Sequence, residues 1–140
     1  MNIAMATKSI LIIDDEASVR ELVHACLSDL AGWNVITAAS AQEGLQQLAS
    51  ERPDAILLDV LMPGMDVITF LHRLHENAAI QSIPVILLTV RARWFTSKKL
   101  QQIGVTEAIA KPFNPVTLPD TIAHALGWDV QVKDESTSFS

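Results

Sequence analysis

The chain has 140 residues and 15.3 kDa, with 49% apolar and 19% charged side chains, which suits one compact domain and leaves no room for a second. Sixteen acidic residues against ten basic ones give a formal charge of −6 and a pI near 5.0, a balance that disfavours direct binding to DNA or to an anionic membrane surface. No apolar run approaches the ~20 residues of a bilayer span, the single Cys26 can form no internal disulfide, and Met1–Ser9 lacks a signal-like apolar stretch, so a soluble cytoplasmic protein is expected.

In chain order, the first apolar run is Ile10-Leu-Ile-Ile13, which ends at Asp14 and predicts a buried parallel strand. The helix after it carries Val19, Leu22, Val23, Cys26 and Leu30 on one face. Val35-Ile36 before Thr37 predicts a second strand. Ser40 then caps a helix, with Glu43 completing a capping box and Leu45 and Leu48 falling together. The third strand, Ala55–Leu58, stops at Asp59. Val67, Phe70, Leu71 and Leu74 form the next helical face, and Asp66 is its N-cap rather than a ligand. Val85–Leu88 before Thr89 is the fourth strand, and Trp94 to Ile103 the fourth helix, irregular at its start. Glu107–Ala110, short and Ala-rich, is the fifth strand and precedes Lys111. The last helix follows Pro115 or starts at Thr117, and Pro119 within it is expected to weaken or kink its first turns. The domain is placed at residues 8–127, and residues 128–140 form a short polar tail expected to be mobile.

Strand and helix alternate five times, which calls for an α/β domain with a doubly wound, five-stranded parallel sheet covered on both faces. In such a sheet, function gathers at the carboxyl ends of the strands. Charge is also uneven: residues 1–70 hold ten acidic and three basic side chains, and residues 71–140 hold six and seven. Strand one delivers Asp14, Asp15 and Glu16 to that end, strand three Asp59, strand four Thr89, and strand five Lys111 followed by Pro112. Each type fits the transfer of a phosphoryl group. Crowded carboxylates repel one another, and a hard divalent cation, Mg2+ or Mn2+, relieves this. A carboxylate can attack phosphorus to give a mixed anhydride, while the metal, an ammonium and a hydroxyl share the charge on the transferring oxygens. His24, His72, His75 and His124 fall on helices away from these strand ends.

Taken together, Ile-Ile-Asp14-Asp15-Glu16, Leu-Leu-Asp59-Val-Leu-Met62-Pro63-Gly64-Met65-Asp66, Leu-Leu-Thr89 and Lys111-Pro112-Phe113 resemble the receiver domain of two-component response regulators, over about residues 8–127. The resemblance implies a flavodoxin-like sheet of strand order 2-1-3-4-5 and a stand-alone, single-domain regulator. It implies that Asp59 is the phosphoacceptor, and that Asp15, Asp59 and the Leu61 backbone carbonyl are direct metal ligands. Asp14 would act mainly through a metal-bound water, and Thr89 and Lys111 would hold phosphoryl oxygens. A cis Lys111–Pro112 bond is also expected. The implied partners are a histidine kinase or histidine phosphotransfer protein upstream and a protein target downstream. The resemblance further implies chemistry confined to the chain's own phosphorylation and dephosphorylation, with no separate small-molecule substrate expected.

The chain departs from the family pattern at several positions. Ala108 stands where many receivers carry a swinging aromatic, Val90 replaces a small residue after Thr89, and Val67 replaces a glycine after the Met-Pro-x-Met-Asp turn. Leu61, two beyond the acceptor, cannot orient water, and Arg91, two beyond Thr89, can partly cover a phosphoryl group; a long-lived acyl phosphate is expected. Arg91 to Lys99 hold four basic side chains with Trp94 and Phe95. They read either as a solvated helix with two core aromatics or, with Trp128, as a partner-binding or homodimer face. The alternatives to a phosphoacceptor are a degenerate receiver acting as a phosphorylation-independent scaffold, an aspartate-nucleophile phosphatase, and a flavin-binding domain. The phosphatase would want a second Asp at position 61, and Asp14-Asp15-Glu16 would repel a flavin phosphate.

Overall fold

A computed structural model describes residues 7–60 and 66–128. Five parallel strands, β1 (Ser9–Ile13), β2 (Asn34–Ala38), β3 (Ala55–Asp59), β4 (Val85–Thr89) and β5 (Glu107–Ala110), form one sheet of order β2-β1-β3-β4-β5. The helices are α1 (Ala17–Ala31), α2 (Ala41–Ser50), α3 (Val67–Glu76), α4 (Ser97–Ile103) and α5 (Leu118–Leu126). The predicted fold class and strand order therefore stand. No helix among the described residues is long and apolar enough to cross a membrane.

The central strands are buried on both faces, as their unbroken Ile, Leu and Val runs require. Their period of two divides the core. Leu11, Ile13, Ile56, Leu58, Val85 and Leu87 pack with Leu48 of α2, Phe70 and Leu74 of α3 and Leu100 of α4. Ile10, Ile12, Leu57, Ile86, Leu88 and Ile109 pack with Val23, Cys26 and Leu27 of α1 and Leu118 and Ile122 of α5. At Gly44 in α2 an added Cβ would run into the Ile13 side chain, so glycine here lets the helix close on the strand that carries Asp14.

Helix ends follow local chemistry. Ser40 Oγ accepts the Glu43 N–H at 3.0 Å, and Glu43 Oε1 reaches back to the Ala39 N–H at 2.7 Å, one residue earlier than the usual reciprocal bond. Asp66 caps α3, accepting the Thr69 N–H at 2.8 Å, and that backbone donor holds its carboxyl below the usual aspartate value.

Three expectations about the helices need correction. On α1, Leu22 and Leu30 are exposed and Leu27 is fully buried in their place. The buried stripe is Val23, Cys26 and Leu27, the residues packed with the strands and α5, and Leu22 and Leu30 lie outside it. The fourth helix begins at Ser97, not Trp94: the Thr96 hydroxyl accepts the Lys99 N–H at 3.2 Å and fixes the start, leaving Ala92–Trp94 as a separate 3-10 turn. Pro119 produces no kink, since α5 starts at Leu118 behind Thr117 and the proline occupies the first turn, where no helical donor is lost. The tail from residue 129 lies outside the described residues.

Candidate functional site

Four strands deliver side chains to one end of the sheet. The ladder runs one residue past β1 and β5, because the Asp14 N–H donates to the Ala38 carbonyl at 3.1 Å and the Lys111 N–H to the Thr89 carbonyl at 2.9 Å. Asp14 and Lys111 are thus held by sheet bonding although they sit beyond the strand ends. Asp59 is the last residue of β3 and Thr89 the last of β4. The bond between Lys111 and Pro112 is cis, as expected.

Lys111 ties the acids together. Its Nζ lies 3.0 Å from Asp14 Oδ2, 3.3 Å from Asp59 Oδ1 and 3.9 Å from Glu16 Oε1. Burial works against the ammonium, yet the hydrogen bond and charge of Asp14, joined by the charge of Asp59, outweigh it and hold the lysine above its ordinary value. Asp14 is fully buried and fully engaged: Oδ1 accepts the Glu16 N–H at 2.9 Å, and its carbonyl accepts the Arg20 guanidinium at 2.6 Å. Asp59 is 5% exposed, whereas Asp15 stands open at the rim.

Asp14, Asp15 and Asp59 each offer a carboxylate oxygen, and these atoms lie within 4.8 Å of one another. The donor set is all oxygen, two groups deep and one at the surface, which fits a hard divalent cation that keeps several waters. Thr89 is buried beside them, its Oγ1 accepting the Arg91 N–H at 3.0 Å.

The structure therefore gathers Asp14, Asp15, Asp59 and Lys111 as the sequence predicted, with Thr89 on the adjacent strand end. Leu61, the expected carbonyl ligand, lies outside the described residues, as do Met62 to Met65. Arg20 on the Asp14 carbonyl was not anticipated, and Glu16, which the sequence delivers to this end without a role, lies at the lysine. Arg20 is six residues beyond Asp14, a separation that returns it to the pocket only because α1 starts at Ala17. The four histidines all lie on helices, and none joins the acidic cluster. Cys26 is buried in the core, and burial raises its thiol pKa.

Trp94 and Trp128, read together from the sequence as one face, fall at two ends of the molecule. Trp94 is 59% exposed just after β4, with the Arg91 guanidinium 4.5 Å from its ring centroid, and Phe95 packs against the core. Trp128 packs edge-on against Trp33 at 5.2 Å, with Lys8 over its ring at 4.8 Å. Lys8 and Trp33 immediately precede β1 and β2, so Trp128 sits at the amino ends of the strands and cannot share a face with Trp94.

Residues 10–123 match the sequence profile of the response regulator receiver domain. Response regulator Rre1 of Synechocystis sp. is 38% identical over 120 residues, 84% of this chain and 51% of that protein. The phosphate regulon transcriptional regulatory protein PhoB of Pseudomonas aeruginosa is 34% identical over 111 residues, 79% of this chain and 48% of that protein. The chain thus spans about half the length of these curated relatives. Among solved structures, the chemotaxis response regulator CheY4 of Vibrio cholerae superposes with a TM-score of 0.78 at 32% identity, covering 86% of this chain and 99% of that one.

Proposed function

The chain belongs to the response regulator receiver domain family, and from that premise and the geometry of the acidic pocket we propose that Asp59 accepts a phosphoryl group from a histidine kinase or histidine phosphotransfer protein. The observation that carries this reading is the buried Asp59 carboxylate, 3.3 Å from Lys111 Nζ and clustered with Asp14 and Asp15 at the strand ends. A carboxylate oxygen of Asp59 attacks the phosphorus of a phosphohistidine; the N–P bond breaks, the imidazole takes up a proton, and an acyl phosphate forms on Asp59. Lys111 carries positive charge within reach of the transferring oxygens, and its pairing with Asp14 keeps it protonated and aimed at that position. The Thr89 hydroxyl can donate to one of those oxygens while accepting from Arg91. Mg2+ or Mn2+, held by Asp14, Asp15, Asp59 and, from the family resemblance, the Leu61 carbonyl, would neutralise charge on the carboxylates and the phosphoryl oxygens.

The phosphorylated form then signals through a protein-binding surface, and the chain's catalysis is confined to its own phosphorylation and dephosphorylation. The sequence has no acidic residue between Glu76 and Glu107, while Arg91, Arg93, Lys98 and Lys99 lie in that stretch. Charge of that sign in a chain of net −6 favours a protein partner that brings acidic groups. Incubation with acetyl phosphate and Mg2+ followed by intact mass tests the reading. One phosphoryl group is expected on the wild type, and none on Asp59→Asn or in EDTA. Equal addition to Asp59→Asn would refute the assignment.

A further inference from the structure

Off its packed stripe of Val23, Cys26 and Leu27, α1 turns a second face toward the edge of the sheet. Ala17, Arg20, Glu21 and His24 recur there at helical spacing and, with Thr37 on the edge strand β2, line a cavity of about 330 Å³. The charges in this cavity are unpaired. Arg20 is half-buried, and its one hydrogen bond runs from Nη1 to the Asp14 carbonyl at 2.6 Å. A guanidinium carries five N–H donors, and among the described residues Arg20 forms no ion pair with any carboxylate. In a chain of net −6, that leaves a partly desolvated cation to be met by an anion from outside. Glu21 lines the same cavity with the opposite charge and forms no ion pair among the described residues either. Adjacent positions of a helix do not face each other, so Arg20 and Glu21 hold their charges apart with the cavity open to both. The Thr37 hydroxyl and the His24 ring make no hydrogen bond among the described residues.

We propose that this cavity binds a small zwitterion, a molecule of amino-acid size with one carboxylate and one ammonium group. The carboxylate takes the remaining donors of the Arg20 fork, in the paired geometry that a guanidinium offers and a lysine ammonium does not. The ligand's ammonium meets Glu21, and the Thr37 hydroxyl and His24 ring supply further polar contacts on the wall. Glu21 sets the ligand class, because a carboxylate beside the guanidinium disfavours phosphate and other multiply charged anions and favours a molecule that brings its own cation. A volume of about 330 Å³ lies at the lower end of the range of small-molecule pockets, which suits a ligand of this size. Through Arg20 Nη1 the cavity borders the acidic pocket at the Asp14 carbonyl, and it uses none of the clustered carboxylates of Asp14, Asp15 and Asp59. The proposal therefore stands apart from phosphoryl acceptance.

Amide chemical shifts of the isotope-labelled full chain in Mg2+ test the proposal. The chain is titrated with each proteinogenic L-amino acid, and with acetate and methylamine as controls that carry one charge each. At least one amino acid is expected to shift the amides of Arg20, Glu21, His24 and Thr37 to saturation, with only weak shifts from acetate and methylamine. Arg20→Lys, which keeps the charge and loses the fork, should weaken that amino acid by about tenfold. Glu21→Gln should reduce its affinity to that of acetate, and Asp59→Asn should bind it as the wild type does. No saturable shift at these amides with any amino acid would overturn the proposal, as would acetate binding equal to that of the best amino acid. Unchanged affinity in Arg20→Lys or in Glu21→Gln would overturn it too. Shifts centred on Asp14, Asp15 and Asp59 and lost in Asp59→Asn would place the ligand in the acidic pocket and likewise overturn it. Each of these results leaves phosphoryl acceptance at Asp59 untouched.

Discussion

Asp14 carries the most deeply buried charge of the site, and Lys111 is what lets it remain there. A buried carboxylate without a partner costs several kcal/mol, and removal of one member of a buried pair typically costs about 3–5 kcal/mol. Lys111 is 15% exposed, so solvent screening brings Lys111→Met below that range, to about 2–3 kcal/mol in urea denaturation without divalent cation. The pH dependence has a definite sign. The folded state raises the lysine pKa, so its contribution is complete below the ordinary value of about 10.4 and disappears as pH rises through the folded value. Wild type should therefore lose stability above about pH 10.4 more steeply than Lys111→Met; parallel profiles would contradict this account of the ion pair. Leu61 supports a second expectation at this scale. A side chain with no polar atom cannot orient water, so Leu61→Asn should shorten the acyl phosphate lifetime several-fold, as read by the decay of the phosphorylated mass. That Asp14, Asp15, Asp59, Thr89 and Lys111 would meet at one end of the sheet was legible in the sequence, because each follows from the end of an apolar run. Which acid would be deep and which open was not legible. Asp14 and Asp15 are adjacent, and only the turn into α1, with the Glu16 N–H bonding back to Asp14, assigns one to the pocket and the other to the rim.

At the scale of the element, strands were easier to read than helices. A strand buried on both faces is a continuous apolar run and needs no phase, whereas a helix must be read with its correct stripe. On α1 the spacing admits both Leu30 and Leu27 beside Val23 and Cys26, and only packing against β1, β3 and α5 selects Leu27. Leu27→Ala should therefore destabilise by about 2–5 kcal/mol, while Leu30→Ala should stay within about 0.5 kcal/mol. Similar losses in thermal unfolding would restore the stripe read from spacing. The start of α4 shows the same limit. Trp94 and Phe95 fit a helical period in the sequence, but the Thr96 cap fixes the first turn at Ser97 and leaves the tryptophan outside. That displacement makes Trp94 available at the surface. Gly104, at φ 78, ends α4 in a left-handed conformation and is enclosed by the His75 ring, so the helix is bounded at both ends by local chemistry.

Across the whole molecule, the alternation of five strands and five helices fixed the layered class, but the strand order came from the family resemblance, since periodicity does not say which strand is central. The resulting sheet concentrates chemistry at one end. Asp14, Asp15, Asp59, Thr89 and Lys111 meet at the carboxyl ends, with Arg91 and Trp94 on the adjacent turn, while Lys8, Trp33 and Trp128 close the amino ends. A face joining Trp94 to Trp128, which the enrichment of aromatics and Arg in interfaces suggested, is thereby ruled out. The acidic pocket and the acid-free β4–α4 segment are neighbours through Thr89, the arrangement that the proposed phosphoacceptor reading requires. The central claim is the identity of the acceptor atom. Borohydride reduces an aspartyl phosphate to homoserine, and peptide mapping of the phosphorylated, reduced chain places that homoserine. The account predicts homoserine at position 59 and at no other acid. Homoserine at Asp14 or Asp15, or phosphorylated protein that yields none at 59, would contradict it.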